Sequence, residues 1–312
     1  MTGSIGRTAA QLLDAAGPRQ LLDPTAWTTG FAALDGYLDG GLHSGELTLL
    51  GGAQGLGKTT MALQMARSLA RAGGSAVYVC YEHVEEEVLA RLLLMEAGLA
   101  APYDEPLPRR ALRGGATADD EARKLAAATE EVRKYGDRLR LLRGSGSDVA
   151  GLDRLVASLD GAALFVDYLQ KVPSTRPEMA EDERVTEIVE RLKDAALAAS
   201  VPVVAIVAAD KSGVGAGRTR LRDLRGSTAL AYEADVALLL NDKQRVVARH
   251  HLMYGSPDAA RFPDYVVCSI EKNRSGKAGV DLELRKRFAH GCFDPDDRLV
   301  SETLVDERVY TE

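Results

Sequence analysis

The sequence predicts an α/β fold in which a mostly parallel, twisted sheet carries helices on both faces. Short apolar segments alternate along most of the chain with longer segments that repeat apolar residues at helical spacing. The short segments are almost continuously apolar, which is typical of parallel strands buried on both sides. A glycine-rich motif at residues 52–59 joins one of these strands to a helix, as phosphate-binding loops do.

Composition narrows the class of protein. The chain has 312 residues, of which 46% are hydrophobic and 27% charged, the balance of a globular protein with a sizeable core. Its longest strongly apolar stretch, residues 201–209, is far shorter than the ~20 residues that a membrane-spanning helix needs. Residues 1–11 lack the apolar region of a signal peptide, and three scattered cysteines suit a reducing compartment. We therefore expect a cytoplasmic protein that does not act on a membrane.

The predicted elements follow in chain order. Residues 1–28 are expected to form an N-terminal extension with one brief helix that stops at Gly17 and Pro18. The α/β domain then covers residues 29–293. Its strands are expected at residues 46–50, 76–80, 139–142, 163–166, 203–207, 236–240 and 265–270. Its helices are expected after the glycine-rich motif, up to Gly73, and at residues 84–98, 117–135, 152–159 and 184–199, with Gly98 as a stop signal and Thr117 as a start signal.

Charge is concentrated at the C-terminal end. The formal net charge is −7, and residues 294–312 hold seven acids against two arginines, a local sum of −5. We predict an acidic C-terminal tail over these residues. Because the rest of the chain is nearly neutral, the net charge does not exclude a local surface that binds nucleic acid.

The glycine-rich motif has the pattern of a P-loop, G-x-x-x-x-G-K-[ST]. Its glycines allow backbone N–H groups to converge on a β-phosphate, at the positive end of the following helix. Lys58 is expected to reach the β- and γ-phosphates, and the Thr59 hydroxyl to coordinate Mg²⁺. The sequence therefore predicts a site for ATP and Mg²⁺, with nucleotide contacts from Gly52, Gln54, Gly55, Leu56, Gly57, Lys58, Thr59 and Thr60.

Two acids follow predicted strands, at the sheet edge where α/β proteins place ligands. Glu82 follows residues 76–80 and is expected to orient and deprotonate the attacking water. Glu82 taken alone is equally consistent with an acid in the first turn of a helix, since residues 85–87 are also glutamates. Asp167 follows residues 163–166 and is expected to coordinate Mg²⁺ directly or through water.

Together these motifs resemble the RecA-like ATPase domain of DnaB-type replicative helicases, over about residues 29–293. Tyr81-Glu82 and Arg91, nine residues after the glutamate, resemble the family's catalytic-glutamate segment, and Asp167-Tyr168-Leu169-Gln170 resembles its Walker B motif. The other segments that carry the resemblance are Thr29-Gly30-Phe31-x-x-Leu34-Asp35, Gly41-Leu42, Val201-Pro202-Val203-Val204-Ala205, Asp223-Leu224-Arg225-Gly226-Ser227, Glu233-Ala234-Asp235 and Lys272-Asn273-Arg274.

The resemblance implies roles for individual residues. Glu82 would be the general base, Asp167 a magnesium ligand and Arg91 part of the nucleotide site. Lys272 and Arg274 would reach the γ-phosphate of a neighbouring subunit, where an arginine stabilises the charge that develops on the transferred group. Apart from the resemblance, these two residues also fit an exposed basic turn. The implied assembly is a homo-oligomer, a ring of six subunits or a filament.

Two departures from the family bear on function. The family has a glutamine at the end of the strand at residues 203–207, where it couples the γ-phosphate to the DNA loops. This sequence has Ala208 there, and an alanine cannot donate a hydrogen bond to phosphate. The family's N-terminal domain has no counterpart beyond residues 6–16, which resemble its linker helix in position, so a protein partner is expected in its place.

A basic loop, residues 211–225, carries five cations and one acid, Asp223. In the resembling family this loop faces the central channel, so Lys211, Arg218, Arg220, Arg222 and Arg225 are expected to bind the phosphates of single-stranded DNA without base specificity. A solvated loop against a neighbouring subunit is the alternative.

Two functions stay open: a DNA-dependent, helicase-like ATPase motor, and a KaiC-like regulatory or assembly ATPase that does no work on DNA. A binding module without hydrolysis is disfavoured by Glu82.

Overall fold

The computed structural model covers most of the chain. It describes residues 6–17, 25–114, 118–144, 161–174, 178–209, 217–226, 228–253 and 259–306, together with residues 151, 154–155, 158–159 and 176. The helices of these residues are α1 (Ala9–Ala16), α2 (Ala32–Tyr37), α3 (Lys58–Arg71), α4 (Glu85–Ala100), α5 (Asp119–Arg133), α6 (Glu181–Ala199), α7 (Ala229–Glu233), α8 (Lys243–Val246) and α9 (Arg249–Met253). None of them is both long and apolar enough to span a bilayer.

The strands form two sheets. They are β1 (Ala26–Trp27), β2 (Leu42–His43), β3 (Leu47–Gly52), β4 (Ala76–Cys80), β5 (Leu139–Arg143), β6 (Ala163–Asp167), β7 (Val203–Ala208), β8 (Val236–Asp242), β9 (Tyr265–Asn273), β10 (Val280–Arg287), β11 (Cys292–Phe293) and β12 (Arg298–Leu299). Strands β1 and β2 pair with each other, and the other ten described strands form the main sheet.

The main sheet is parallel at its centre and antiparallel at one side. Its order is β11-β10-β9-β8-β3-β7-β6-β4-β5, with β12 on β10. The six strands from β8 to β5 run parallel, and β9 to β12 form antiparallel pairs. This confirms the predicted α/β fold. Strand β3 lies between β7 and β8, so the P-loop that follows it opens at the middle of the sheet.

Both faces of the sheet are covered, as predicted. On one face α3 and α4 pack their apolar residues, among them Met61 and Leu92, against strand residues such as Leu50. On the other face α6 packs residues such as Ile188 against Leu49. Because adjacent residues of a strand point to opposite faces, each central strand needs an apolar residue at nearly every position.

The predicted extent of two helices is wrong. Helix α4 continues through Gly98 to Ala100. This glycine allows His290 to pack closely against the helix, because a Cβ on residue 98 would lie 2.4 Å from the Cβ of His290. Helix α5 begins at Asp119 with Ala118 as its N-cap residue, and Thr117, the predicted start, lies outside the described residues. Most of the helix predicted at residues 152–159 also lies outside them. The brief N-terminal helix is present as α1, capped by Thr8.

The acidic C-terminal segment is not a separate tail over the residues that the structure describes. Residues 298–306 run along the domain: β12 pairs with β10, and Val305 donates its N–H to the carbonyl of Val246 at 2.8 Å. Of the described acids of this segment, Glu302 lies 2.8 Å from the Lys243 ammonium group and Asp306 pairs with Arg220. The Asp297 carboxylate accepts the Ala33 and Leu34 N–H groups at the start of α2, each at 2.7 Å. These partners explain why the acids fold back instead of extending into solvent.

Candidate functional site

A cleft of about 770 Å³ opens at the carboxyl ends of the central strands. Parallel strands end at one edge of the sheet, and the loops that follow them therefore converge there. Of the residues predicted to bind nucleotide, this cleft is lined by Gln54, Gly55, Gly57, Lys58, Thr59, Thr60 and Arg91, and it also contains Glu82 and Asp167. Gly52 lies at the base of the loop, and Leu56 packs against the core.

The glycines of the P-loop are required by its backbone path. Gly57 is the N-cap of α3 with a φ of 86°, and a Cβ on it would lie 2.7 Å from the rings of Phe288 and Phe293. Gly52 has a φ of 139°, and its Cβ would lie 2.6 Å from the Leu240 carbonyl oxygen. Only glycine adopts these angles at such close approach. The loop can therefore pass from β3 into α3 with its backbone facing the cleft.

Lys58 is held at the mouth of the loop. Its Nζ donates to the carbonyl oxygens of Gly52 and Ala53, at 2.8 Å each. Burial lowers the pKa of Lys58 to about 8, although the carboxylates of Asp167 and Glu82 act to raise it. An ammonium group that is partly stripped of water attracts phosphate strongly, because few water molecules compete for it.

Asp167 ends β6 and is almost fully buried. Its Oδ2 accepts a hydrogen bond from the Tyr78 hydroxyl at 2.8 Å, and its Oδ1 has no hydrogen-bond partner among the described residues. Burial raises the pKa of Asp167. A buried carboxylate oxygen without a partner, beside a cleft that also holds Thr59, fits a hard divalent cation or its bound water. The donors present therefore suit Mg²⁺.

Glu82 lies two residues beyond β4 and beside Asp167. The Tyr81 N–H donates to the Asp167 carbonyl oxygen at 2.7 Å, which holds the ends of β4 and β6 together. The Glu82 carboxylate is half-exposed and lies 3.9 Å from the Lys171 ammonium group. It precedes α4, whose first residue is Glu85, so Glu82 lies outside the helix and faces the cleft. This position suits a base for a water molecule in the cleft.

Arg91 and Phe288 extend the site beyond the phosphates. A second cavity of about 400 Å³ adjoins the cleft, and Thr60, Arg91 and Phe288 line both. An Arg91 Nη2 contacts His83 Nε2 at 2.8 Å. A guanidinium and an aromatic ring are surfaces on which a nucleobase stacks. Phe288 is not identifiable from the sequence, because it lies in no motif and reaches the P-loop only through the way β10 and β11 fold back on α3.

The structure divides the residues of the basic loop. Arg218 is buried, with its guanidinium bonded to Asp281 and to the Ser269 hydroxyl at 2.7 Å. Arg220 is bonded to Glu271 at 2.6 Å and to Asp306. The prediction that Arg218 binds DNA phosphates is therefore contradicted, since its charge is already neutralised inside the protein. Arg220 likewise faces two carboxylates.

The other cations of the loop differ from these two. Arg222 keeps 79% of its side chain exposed and lies 3.7 Å from Asp223. Arg225 lines the nucleotide cleft and bonds Glu181 at 2.8 Å with a half-exposed side chain. Lys211 lies outside the described residues. Arg222 and Arg225 are thus the described residues of the loop that a phosphate backbone can reach.

Lys272 and Arg274 lie at the opposite edge of the sheet from the P-loop. Strand β9 runs antiparallel to β8, so its end pairs with the beginning of β8, Lys272 beside Ala237. The Lys272 Nζ donates to the Ala231 carbonyl at 2.7 Å, and the Arg274 Nη1 lies 3.2 Å from Asp235. A six-residue strand such as β3 is ~20 Å long. These two side chains therefore do not reach the P-loop of their own chain.

Residues 26–290 match the family described as the DnaB-like helicase C terminal domain. The replicative DNA helicase DnaB of Treponema pallidum (strain Nichols) is 27% identical over 228 residues, which are 72% of this chain and 49% of that relative. The chain spans about half the length of the curated relatives that it matches.

Solved structures agree with this match at the level of the fold. The ATPase domain of G40P superposes with a TM-score of 0.73 over 91% of this chain and 94% of that domain, at 19% identity. A DnaB-like replicative helicase, described together with its interactions with primase, superposes with a TM-score of 0.74 over 93% of this chain and 68% of that chain.

Proposed function

The chain belongs to the DnaB-like helicase C-terminal domain family, and from this we propose that it is a ring-forming ATPase that binds ATP with Mg²⁺ and acts on single-stranded DNA. The observation that carries the proposal is the cleft in which Lys58, Asp167 and Glu82 lie together. Asp167 ends β6, whereas Glu82 and Lys58 follow the carboxyl ends of two other parallel strands, β4 and β3. A P-loop lysine, a buried acid and an accessible acid are the parts that phosphoryl transfer to water requires.

Each residue has a defined task in this proposal. Lys58 releases the Gly52 and Ala53 carbonyls and neutralises the β- and γ-phosphates. Thr59 and Asp167 would hold Mg²⁺, which supplies charge neutralisation at the phosphates. Glu82 accepts the proton of the attacking water, at a carboxylate that solvent can reach. The Arg91 and Phe288 side chains hold the base end of the nucleotide and limit access of water to the phosphates.

A neighbouring copy of the chain completes the site. Lys272 and Arg274 are too far from their own P-loop, yet they emerge together at one edge of the sheet. A second copy that places its cleft against this edge would receive both cations at its γ-phosphate. We therefore propose that the active unit is a homo-oligomer, a ring of six or a filament.

Two observations favour the alternative function, a nucleotide-switched regulatory or assembly ATPase without DNA work. Arg218 and Arg220 are occupied by carboxylates of their own chain. Ala208 also lacks the side chain that couples nucleotide to DNA in the resembling family. Among the described residues of the loop, Arg222 and Arg225 are those through which a motor would contact DNA, whereas the alternative needs no such contact.

ATP hydrolysis with and without single-stranded DNA tests the proposal. Glu82→Gln should retain ATP binding and lower turnover by about 10²–10⁴-fold, the contribution of a general base. Glu86→Gln, which changes an exposed acid in the first turn of α4, is the matched control and should leave turnover unchanged. Unchanged hydrolysis in Glu82→Gln would remove it as the base. Hydrolysis that single-stranded DNA does not stimulate would favour the regulatory ATPase.

A further inference from the structure

Gln170 lies between the nucleotide cleft and the segment that carries Arg222 and Arg225. We propose that Gln170 is a positioning residue: its side-chain amide ties the end of β7 to this segment and so transmits the state of the nucleotide site. The proposal rests on the proposed nucleotide site, but it does not require that the chain bind DNA.

The amide of Gln170 is buried and fully used. Its Oε1 accepts the Ala208 N–H at 3.1 Å, and its Nε2 donates to the Arg225 carbonyl oxygen at 2.8 Å and to the Ala208 carbonyl oxygen at 3.4 Å. One side chain therefore bonds both Ala208, the last residue of β7, and Arg225, which lies 17 positions further along the chain. Because the amide is buried, water does not replace these bonds without cost.

The end of β7 is connected to the P-loop through one carbonyl. The Gly52 carbonyl oxygen accepts a hydrogen bond from the Lys58 ammonium group at 2.8 Å and from the Ala209 N–H at 3.3 Å. A phosphate group competes with this carbonyl for Lys58. When Lys58 turns to phosphate, the carbonyl is left to the Ala209 N–H, and that longer bond tightens. Binding of nucleotide thus acts on the residue next to Ala208.

The other end of the link is the exposed segment. The Arg225 N–H donates to the Ala208 carbonyl at 2.9 Å, and Leu224 pairs with Ala209 in an antiparallel bridge. Leu224 also fills the space above Gly51, where a Cβ would lie 2.5 Å from its Cδ2. Backbone bonds at Ala208 and Ala209 join the two segments along one line of contact. Gln170 adds contacts from a third segment and so fixes the angle between the two segments.

This arrangement explains how the nucleotide site can be linked to the exposed segment although residue 208 is an alanine. A side chain at the end of β7 is not needed as a link if the backbone of the same residue is held by Gln170. The signal then passes from Lys58 through the Gly52 carbonyl to the backbone of Ala208 and Ala209, and the Gln170 amide carries it to Arg225. The Gln170 side chain bonds the backbone of both Ala208 and Arg225.

Hydrogen–deuterium exchange of the full chain tests this link without DNA. The probes are the amides of Ala209, which bonds the Gly52 carbonyl, and of Arg225, whose own carbonyl Gln170 holds, with and without Mg²⁺ and a non-hydrolysable ATP analogue. In the wild type both amides should exchange about fivefold more slowly with the analogue, the factor that one net hydrogen bond corresponds to. In Gln170→Met, which keeps the length of the side chain and removes its bonds, Ala209 should still respond and Arg225 should not.

Gln64→Met is the matched control. Gln64 is buried like Gln170. Its side-chain amide accepts the Phe293 N–H at 2.9 Å and donates to the Phe293 carbonyl oxygen at 3.1 Å. This variant loses the same kind of contact at another edge of the sheet, and both amides should respond as in the wild type. A loss of the Arg225 response in Gln64→Met as well would show a general loosening and would contradict the proposal.

Two further outcomes would overturn it. One is a Gln170→Met protein in which the Arg225 amide still responds to nucleotide, and the other is a wild type in which it never does. Failure of the proposed function can be distinguished from failure of this link. If the proposed function is wrong, the analogue does not bind to the wild type at all, and the exchange of the Ala209 amide is also unchanged.

Discussion

The basic loop shows how the partners of a single side chain decide its function. Arg218 and Arg222 are four residues apart and have the same charge. Arg218 is buried against Asp281, whereas Arg222 keeps 79% of its side chain exposed. Removing the buried cation would leave a carboxylate without its partner, and removing the exposed one would cost little stability. Only the second is suited to exchange solvent for phosphate.

Asp167 is the residue at which the metal requirement can be tested. Asp167→Asn keeps the shape of the side chain and removes its charge, so we expect the Mg²⁺ concentration that supports ATP binding to rise by at least about tenfold. The measurement is a Mg²⁺ titration of the binding of a fluorescent ATP analogue. Tyr78→Phe, which removes only the hydroxyl that donates to Asp167, is the control and should shift the titration less. Equal titrations for Asp167→Asn and wild type would exclude Asp167 as a metal ligand.

At the scale of elements, most of the fold follows from the sequence. Strand β4 occupies the predicted residues, and β3 begins one residue after its predicted start and ends two residues after its predicted end. The other predicted strands begin where predicted and end one to three residues later. Apolar runs identify these strands because both faces of the sheet are buried. The end of α4 was not predictable, because Gly98 is at once a signal that ends helices and a residue that allows close packing. Its partner, His290, lies 192 positions away along the chain.

Gly98 provides a prediction about stability. Gly98→Ala should lower the free energy of unfolding by about 1–3 kcal/mol, because its Cβ meets the Cβ and the carbonyl oxygen of His290, neither of which can swing away. Gly36→Ala in α2 is the matched control. Its Cβ meets nothing within 4 Å, so it should raise the free energy by about 0.5–1 kcal/mol. Urea unfolding measures both. A stabilised Gly98→Ala would show that His290 does not pack against this glycine.

At the scale of the whole molecule, the direction of the strands separates two groups of residues that the proposed function assigns to one site. The P-loop, Glu82 and Asp167 gather at the carboxyl ends of the parallel strands, and each was identifiable from its place in the sequence. Lys272 and Arg274 lie at the other edge because β9 reverses direction. The ion pairs and hydrogen bonds of Arg218, Arg220 and the C-terminal acids were not predictable. Their partners lie 51 to 264 residues away, and no local pattern indicates which distant groups meet.

The separation of these two groups leads to the central claim, that each ATP site is completed by a second copy of the chain. Arg274→Ala should bind ATP and lose about 10³–10⁵-fold in hydrolysis, the contribution of an arginine finger. Lys58→Ala should not bind ATP and should be equally inactive. In a mixed assembly, an intact P-loop of one variant can meet an intact Arg274 of the other.

Mixing these two inactive variants is the most direct test. The measurement is the rate of ATP hydrolysis as the ratio of Arg274→Ala to Lys58→Ala is varied at constant total protein. If each site is shared between two copies, activity returns on mixing and is greatest near equal amounts. If the mixture stays as inactive as its components, while the wild type hydrolyses ATP at full rate as a monomer at every concentration, the shared site is contradicted.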